Sequence, residues 1–287
     1  MENIFEETRI IMKKYNIKAN KSLGQNFLIS QEVVNNIIKA SEISEKDLVI
    51  EIGPGLGTLT KRLLEQAGKV ICVELDTKMI NILEERFFLY KNLEIINQDI
   101  LKVDLKNKIK QEKEKNGFEK VKIVANLPYY ITTPIIMKLL EEELDLESIT
   151  VMIQKEVADR LTAIPGKKNT GAITYTVYYY TDSEEILEVP KDSFIPEPEV
   201  TSEVIKMHLR QTPAVKIENP KVMFMIIKSA FMQRRKTLLN ALTNAQVFIS
   251  KQEGIKVLKK LNLNENVRAE NLSIQDFANI AKCITNF

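Results

Sequence analysis

The sequence has few of the side chains that disulfide and metal chemistry require. Its 287 residues include two cysteines, one histidine and no tryptophan. Neither a disulfide framework nor a Cys/His metal centre can be built from so few ligands, so we predict no metal site. The one histidine, His208, lies in a run that alternates apolar and polar residues, and we interpret it as a half-exposed strand residue.

The sequence also has no long hydrophobic run. No apolar stretch approaches the ~20 residues that a membrane-spanning helix needs, and the charged segment 1–20 is unlike a signal peptide. We therefore expect a cytoplasmic protein with no membrane contact. Apolar residues form 44% of the chain and charged residues 28%, which is the balance of a globular protein with a substantial core.

The net charge of +2 is divided unevenly along the chain. Residues 1–190 carry 26 Lys and Arg against 30 Asp and Glu, whereas residues 191–287 carry 15 against 9. A basic C-terminal part favours a polyanionic partner, although a solvated helical face has a similar composition. Within it, the consecutive cations Arg234, Arg235 and Lys236 precede a predicted helix, where they form either a phosphate-binding cluster or a solvated basic turn.

Four apolar segments separated by helical patterns predict a doubly wound α/β sheet. The predicted strands are 48–52, 70–73, 93–97 and 121–125. The small or polar groups that follow them are Gly53, Glu74, Asp99 and Asn126. Because the carboxyl ends of parallel strands meet at one edge of such a sheet, we expect these groups to form a ligand site there.

The glycine-rich turn after the first of these strands indicates the type of cofactor. A dinucleotide fold has the spacing Gly-x-Gly-x-x-Gly, which seats a pyrophosphate on the following helix. Here Gly53, Gly55 and Gly57 have the spacing Gly-x-Gly-x-Gly, with a proline between the first two. This turn favours a cofactor without phosphate, such as S-adenosylmethionine, although some turns of this kind bind nothing. Glu74 stands 21 residues after Gly53, where an acidic side chain meets ribose hydroxyls, and Asp99 is a predicted acceptor for the cofactor adenine amine.

The segment Asn126-Leu127-Pro128-Tyr129 carries the groups that methylation of a nucleobase amine requires. An exocyclic amine is a poor nucleophile because its lone pair is delocalised into the ring. The Asn126 side-chain oxygen and the Leu127 carbonyl can accept its two N–H groups and favour a pyramidal nitrogen. Pro128 restricts the backbone around that carbonyl, and Tyr129 offers a face for base stacking. The tetrapeptide alone is equally compatible with a turn that ends a strand.

The later segments contain one ambiguous element and then change from predicted strands to predicted helices. Residues 172–180 fit either a strand or a buried helix, and 185–189 and 200–209 are predicted strands. In the loop between those strands, Phe194 either closes a base sandwich opposite Tyr129 or is a buried residue of a proline turn. Helical patterns follow at 221–231, 237–242, 250–261 and 274–284. We predict a domain over 1–212, with an N-terminal cap over about 1–30, and a helical domain over 213–287.

An ordered set of motifs, from about Lys13 to the C-terminus, resembles the ribosomal RNA adenine N6-dimethyltransferases, and most closely their small-subunit branch. The matching motifs are Lys-Ser-Leu-Gly-Gln-Asn-Phe-Leu (21–28), Glu-Ile-Gly-Pro-Gly-Leu-Gly (51–57), Glu74, Gln98-Asp99, Asn-Leu-Pro-Tyr-Tyr (126–130), Gln-Lys-Glu-Val-Ala (154–158), Phe-Ile-Pro-Glu-Pro-Glu-Val (194–200) and Phe-Met-Gln-Arg-Arg-Lys-Thr-Leu (231–238). The resemblance implies a Rossmann-like, class I S-adenosylmethionine-dependent methyltransferase sheet of seven strands, a helix over 172–180 and a small α-helical RNA-binding domain. It also implies a cofactor pocket lined by Asn26, Leu28, Gly53, Gly55, Glu74, Asp99 and Asn126.

The function implied by this resemblance is N6,N6-dimethylation of two adjacent adenosines near the 3′ end of 16S ribosomal RNA. The implied partner is this RNA within the immature small ribosomal subunit, and we expect a monomeric enzyme. Its implied catalytic residues are Asn126, Leu127, Pro128, Tyr129 and Phe194, with Arg234, Arg235 and Lys236 binding RNA. Three alternatives remain open: a large-subunit enzyme that confers macrolide resistance, a non-catalytic assembly or transcription factor, and a nicotinamide dehydrogenase.

Overall fold

The computed structural model describes residues 3–19, 24–167 and 169–284. Within these ranges the chain forms nine strands and twelve α-helices. The strands are β1 (Phe27–Leu28), β2 (Asp47–Ile52), β3 (Lys69–Glu74), β4 (Leu93–Asn97), β5 (Lys120–Asn126), β6 (Ser148–Gln154), β7 (Thr181–Val189), β8 (Phe194–Ile195) and β9 (Ser202–Leu209). The helices are α1 (Ile4–Lys14), α2 (Gln31–Ser41), α3 (Thr58–Leu64), α4 (Thr77–Arg86), α5 (Leu105–Asn116), α6 (Thr132–Glu141), α7 (Lys155–Leu161), α8 (Ala172–Tyr180), α9 (Pro220–Met232), α10 (Leu238–Asn244), α11 (Lys251–Lys260) and α12 (Ile274–Cys283).

Seven strands form one sheet in the order β4-β3-β2-β5-β6-β9-β7. The pairs from β4 to β6 are parallel, and β9 runs antiparallel to β6. The chain moves outward from β2 to β3 and β4, and then returns to the other side of β2 to form β5. The carboxyl ends of β2 and β5 therefore flank the point where the strand order reverses, which is where ligands bind in open α/β sheets. The predicted fold class is confirmed.

The ambiguous segment 172–180 is the helix α8, as the family resemblance implied. Tyr175 is completely buried in it, and its hydroxyl donates to the carbonyl oxygens of Ala269 (3.1 Å) and Leu272 (2.7 Å). The strand propensity of its tyrosine and β-branched residues does not decide the conformation, because packing against other helices buries this segment.

Packing divides the chain into two compact units, each made of two segments. One consists of Met1–Ala158 and Ser183–Leu209, and the other of Asp159–Asp182 and Arg210–Phe287. The second unit has its own core, in which Tyr175, Met223, Phe248 and Phe277 are buried. The division into domains 1–212 and 213–287 stays a prediction, while the packing groups α8 with the later helices. Among the described residues, no helix combines the length and apolar character that crossing a bilayer requires.

The N-terminal segment is attached to the rest of the first compact unit at two places. Strand β1 pairs antiparallel with β8, which sets Leu28 opposite Phe194. Arg86, at the end of α4, binds the Glu7 carboxylate of α1 at 2.6 Å and donates to the Leu56 carbonyl of the glycine turn. These contacts support the predicted cap, although residues 20–23, which include the start of the 21–28 motif, lie outside the described residues.

Gly57 provides a test of how closely the glycine turn packs. Its φ is +83°, and an added Cβ would lie 2.6 Å from Phe87 Cε2 and 2.8 Å from Leu83 Cδ2. We expect Gly57→Ala to lower the free energy of unfolding by about 2–4 kcal/mol, because left-handed strain adds to overpacking. Gly117→Ala is the matched control, since Gly117 has φ +70° and nothing within 4 Å of the added Cβ. Denaturant unfolding should show a loss of about 1 kcal/mol for the control, and equal losses would contradict the packing argument.

Candidate active site

A cavity of about 230 Å³ opens at the carboxyl ends of β2 to β5. Its lining includes all the residues predicted to bind the cofactor, namely Asn26, Leu28, Gly53, Gly55, Glu74, Asp99 and Asn126. Three of the predicted catalytic residues, Leu127, Pro128 and Tyr129, line it as well. The fold thus brings together groups from the N-terminal segment and from four strand ends. Their individual binding roles stay predictions.

The glycine turn forms one wall of the cavity with bare backbone. Gly53 has φ +67° and Gly55 has φ +56°, a left-handed conformation that favours glycine. The Gly53 N–H donates to the Val73 carbonyl at 3.0 Å, which joins the end of β2 to β3. A Cβ on Gly55 would lie 3.5 Å from the Phe27 ring. The glycines therefore allow a ligand to approach the backbone closely.

Glu74 is held by backbone donors at the end of β3. Its Oε1 accepts from the N–H groups of Leu75 (2.8 Å) and Asp76 (2.9 Å), and its Oε2 accepts from the Gly55 N–H at 3.3 Å. Burial raises the pKa of this carboxyl, and the three N–H donors oppose that shift. A carboxylate has about four lone-pair sites, so Oε2 keeps the capacity to accept from a ligand hydroxyl.

Asp99 occupies the end of the next strand in the sheet. It is half-buried, and its Oδ1 accepts from the Leu101 N–H at 3.0 Å, which starts a short 3-10 helix. This bond orients the carboxylate at the cavity wall, in the position that the strand-end rule predicts.

The Asn126 amide is oriented by the N-terminal segment. Its Nδ2 donates to the Asn26 backbone carbonyl at 3.2 Å. Because the nitrogen is engaged, the Asn126 oxygen is the atom that remains to accept from a substrate amine. The backbone of Leu127 is placed by strand β6, since its N–H donates to the Met152 carbonyl at 3.1 Å, and no described residue donates to the Leu127 carbonyl. Both predicted acceptors therefore lie at one end of β5.

The two predicted aromatic partners are not in equivalent positions. The Tyr129 ring is half-buried and lines the cavity. Phe194 is 1% exposed, belongs to the sheet core and is absent from the cavity lining. Its pairing with Leu28 across β1 and β8 holds it inside. Phe194 therefore does not line the cavity with Tyr129, and its role in a base sandwich stays a prediction that requires movement of the ring.

The basic cluster lies in the second compact unit. Arg234, Arg235 and Lys236 are exposed in the turn between α9 and α10. Arg234 Nη2 donates to the Thr170 carbonyl at 3.2 Å, within the same unit. Three neighbouring exposed cations form a surface suited to phosphates, and RNA binding by this turn stays a prediction.

Comparison with known proteins identifies the family. The family model for ribosomal RNA adenine dimethylase matches residues 16–286. The chain belongs to the ribosomal RNA adenine dimethylase family. Ribosomal RNA small subunit methyltransferase A from Alkaliphilus oremlandii is 46% identical over 276 residues, which cover 96% of this chain and 95% of that protein. The protein of the same name from Clostridioides difficile is 46% identical over 277 residues, covering 96% and 94%.

Solved structures agree with this assignment. A dimethyladenosine transferase from Plasmodium falciparum superposes with a TM-score of 0.73 at 27% identity, covering 88% of this chain and 95% of that one. The 23S rRNA methyltransferase ErmE has a TM-score of 0.66 at 20% identity, covering 90% and 99%, and shows the shared fold. This dimethylase is therefore an rRNA adenine dimethyltransferase, and the nicotinamide dehydrogenase alternative is wrong.

In this dimethylase, one acidic residue of the cavity lining was given no role by the sequence. Glu51, inside β2, is 1% exposed and lines the cavity. It accepts hydrogen bonds from Thr60 Oγ1 (2.6 Å) and Cys72 Sγ (3.5 Å). Burial raises its pKa to about 7; the bonds from Thr60 and Cys72 lower it, and the nearby Glu74 carboxylate raises it further. A carboxylate within an otherwise apolar strand, two residues before the first glycine, was the available signal.

The pKa of Glu51 predicts a pH dependence of stability. The pKa of about 7 in the folded protein lies above the ordinary value of 4.5, so the native state binds more protons between these limits. The contribution of Glu51 to the free energy of unfolding should fall by up to about 3 kcal/mol as pH rises through this window, and it should stay level above it. We expect Glu51→Gln to lose most of this slope and to keep the part that comes from Glu74, whose pKa is also raised. Urea unfolding at several pH values tests this, and parallel curves for the two proteins would contradict it.

Proposed function

We propose that this dimethylase transfers methyl groups from S-adenosylmethionine to N6 of two adjacent adenosines near the 3′ end of 16S rRNA. Each adenosine receives two methyl groups. The observation that carries this proposal is the fixed Asn126 amide. Its nitrogen is held by the Asn26 carbonyl at the end of β5, and Leu127, which carries the second predicted acceptor, is the next residue in the chain. Two acceptors and no basic side chain suit an amine that donates two hydrogen bonds.

The residues of the cavity fit S-adenosylmethionine. Among the described residues that line it, the acidic ones are Glu51, Glu74 and Asp99, and there is no lysine, arginine or histidine. An acidic site favours a sulfonium cation and disfavours a pyrophosphate. Gly53 and Gly55 would lie along the cofactor, and the Glu74 carboxylate would accept from its ribose hydroxyls. When bound, S-adenosylmethionine supplies an electrophilic methyl group.

Residues of this chain orient the target amine for methyl transfer. The Asn126 oxygen and the Leu127 carbonyl accept hydrogen bonds from the two N6–H groups, which concentrates the nitrogen lone pair in one direction. Pro128 holds the backbone between the acceptors and Tyr129, whose face stacks on the base. After transfer, the nitrogen loses its proton to water, so no charged base is needed. The target adenosine must be unpaired or flipped to reach these groups.

Several features support the small subunit as substrate. The relatives at 46% identity are named for small-subunit RNA, whereas the 23S enzyme is 20% identical. We place the activity in the cytoplasm, on 16S rRNA within the immature particle. We also propose a monomeric enzyme.

Labelled methyl transfer is the direct test. S-adenosylmethionine with a labelled methyl group is incubated with unmethylated small subunits, with large-subunit RNA, or without RNA, and the nucleosides are then separated. We expect N6,N6-dimethyladenosine only in the small-subunit sample. Label in the large-subunit RNA would instead identify a 23S-directed enzyme. No label, with particle binding intact, would identify a non-catalytic assembly factor.

A further inference from the structure

The segment from Phe194 to Ser202 contacts the active-site residue Tyr129 through the side chain of Ser202. Ser202, the first residue of β9, shares a hydrogen bond of 2.5 Å between its Oγ and the Tyr129 Oη. Ser202 is completely buried, whereas the Tyr129 ring is partly exposed at the cavity. A buried hydroxyl is thus paired with the residue whose ring face is offered to the substrate base.

We propose that Ser202 is a positioning residue for methyl transfer, which holds the Tyr129 ring at the angle that the stacked adenine requires. This inference rests on the proposed function. The Tyr129 hydroxyl is engaged by protein, so Tyr129 acts on the base through its ring face, and the direction of that face depends on where Ser202 anchors the far end of the ring.

Ser202 is suited to hold the Tyr129 ring because strand β6 binds both the segment that carries Ser202 and the segment that carries Tyr129. Ser202 pairs with Gln154 in the antiparallel ladder, and the Lys155 N–H donates to the Thr201 carbonyl at 3.0 Å. The same strand binds the segment that carries Tyr129, since Met152 accepts from the Leu127 N–H. The acceptor that receives the amine and the hydroxyl that fixes the ring are therefore attached to one strand. Backbone ladders hold their geometry better than loops do.

This role also accounts for the motif at 194–200, which precedes Ser202. Its aromatic residue, Phe194, is buried in the core and does not line the cavity. The segment contributes to the site by leading into β9, and it is the serine at the start of that strand that touches Tyr129. Removal of the Tyr129 hydroxyl keeps the stacking face but frees the ring to rotate.

A double-mutant cycle on methyl transfer tests the proposal. The variants are Ser202→Ala, Tyr129→Phe and the two combined, assayed on unmethylated small subunits with kcat and KM measured separately. We expect each single variant to lower kcat about 3- to 10-fold, the range of one lost hydrogen bond. The combined variant should lose no more than either single one, because all three remove the same bond.

Ser148→Ala is the matched control for removing a buried serine hydroxyl. Ser148 is buried at the opposite end of β6, across from His208, and we expect its kcat to equal that of the wild type. Unfolding free energies of all variants separate a stability loss from a positioning loss, since a purely structural role would not couple Ser202 and Tyr129 in kcat. Losses in kcat that multiply in the combined variant, or an unchanged kcat for Ser202→Ala, would overturn the proposal. A wild-type chain that transfers no methyl group would instead overturn the proposed function and this inference with it.

Discussion

Replacing Asn126 with alanine should slow methyl transfer by at least about a hundredfold. The substitution removes one of the two acceptors at the target amine, and water in that position is not held at a fixed angle. In the present structure the Asn126 nitrogen is bound to the Asn26 carbonyl, so the oxygen is already oriented before the substrate arrives. Loss of a pre-oriented group is costly because nothing in the protein replaces it during the reaction.

The measurement is a single-turnover rate on unmethylated small subunits at saturating S-adenosylmethionine. Since Asn126 also lines the cofactor cavity, cofactor affinity is measured separately for each variant. Asn107→Ala is the control, because Asn107 is exposed on helix α5, and its rate should equal that of the wild type. If Asn126→Ala stays within about tenfold of the wild type, roughly 1.4 kcal/mol in the barrier, Asn126 does not have the assigned role.

Replacing Arg234, Arg235 and Lys236 together with glutamine should weaken RNA binding by about ten- to a hundredfold at low salt. Each cation that neutralises a phosphate releases a counterion, so the dependence of log K on log salt should flatten by up to about two to three units. All three side chains are exposed in one turn, which makes simultaneous contact with a phosphate backbone feasible.

A charge-matched control separates a local contact from a general loss of positive charge. Lys106, Lys110 and Lys115 are exposed on helix α5, and their replacement with glutamine removes the same charge from a different surface. We expect the control to change affinity and salt slope much less than the substitution at the 234–236 turn. Equal changes in the two triple variants would place the RNA surface elsewhere. The substitution also removes the hydrogen bond from Arg234 to the Thr170 carbonyl. Unfolding curves measure whether this loss destabilises the protein.

Much of the sheet could be predicted from the sequence because its signals are local. Each of the four strands before Asn126 is a short apolar run bounded by turn residues, and the predicted ranges agree with β2 to β5 within about two residues. The start of the predicted helix 274–284 also follows from a local signal, since Ser273 and Asp276 form a capping box there. The rule that parallel strands end at one edge then placed the cavity.

Other features could not be predicted from local patterns because they depend on burial. Segment 172–180 has strand-like composition, yet it forms α8 because Tyr175 is buried against other helices. The loop sequence left Phe194 either at the base or buried in a proline turn, and the structure buries its ring in the core. Glu51 read as part of an apolar strand until the fold set Thr60 and Cys72 beside its carboxylate.

The sequence by itself determined the family, the order of the strands and turns along the chain, and the residue types at each strand end. These follow from motif order, periodicity and glycine spacing, all of which are contained in short stretches of chain. Only the tertiary structure decided that the Asn26 carbonyl orients Asn126, that Ser202 anchors Tyr129 and that Phe194 is buried. These contacts join residues far apart in the chain, and packing rather than local propensity sets which of them form.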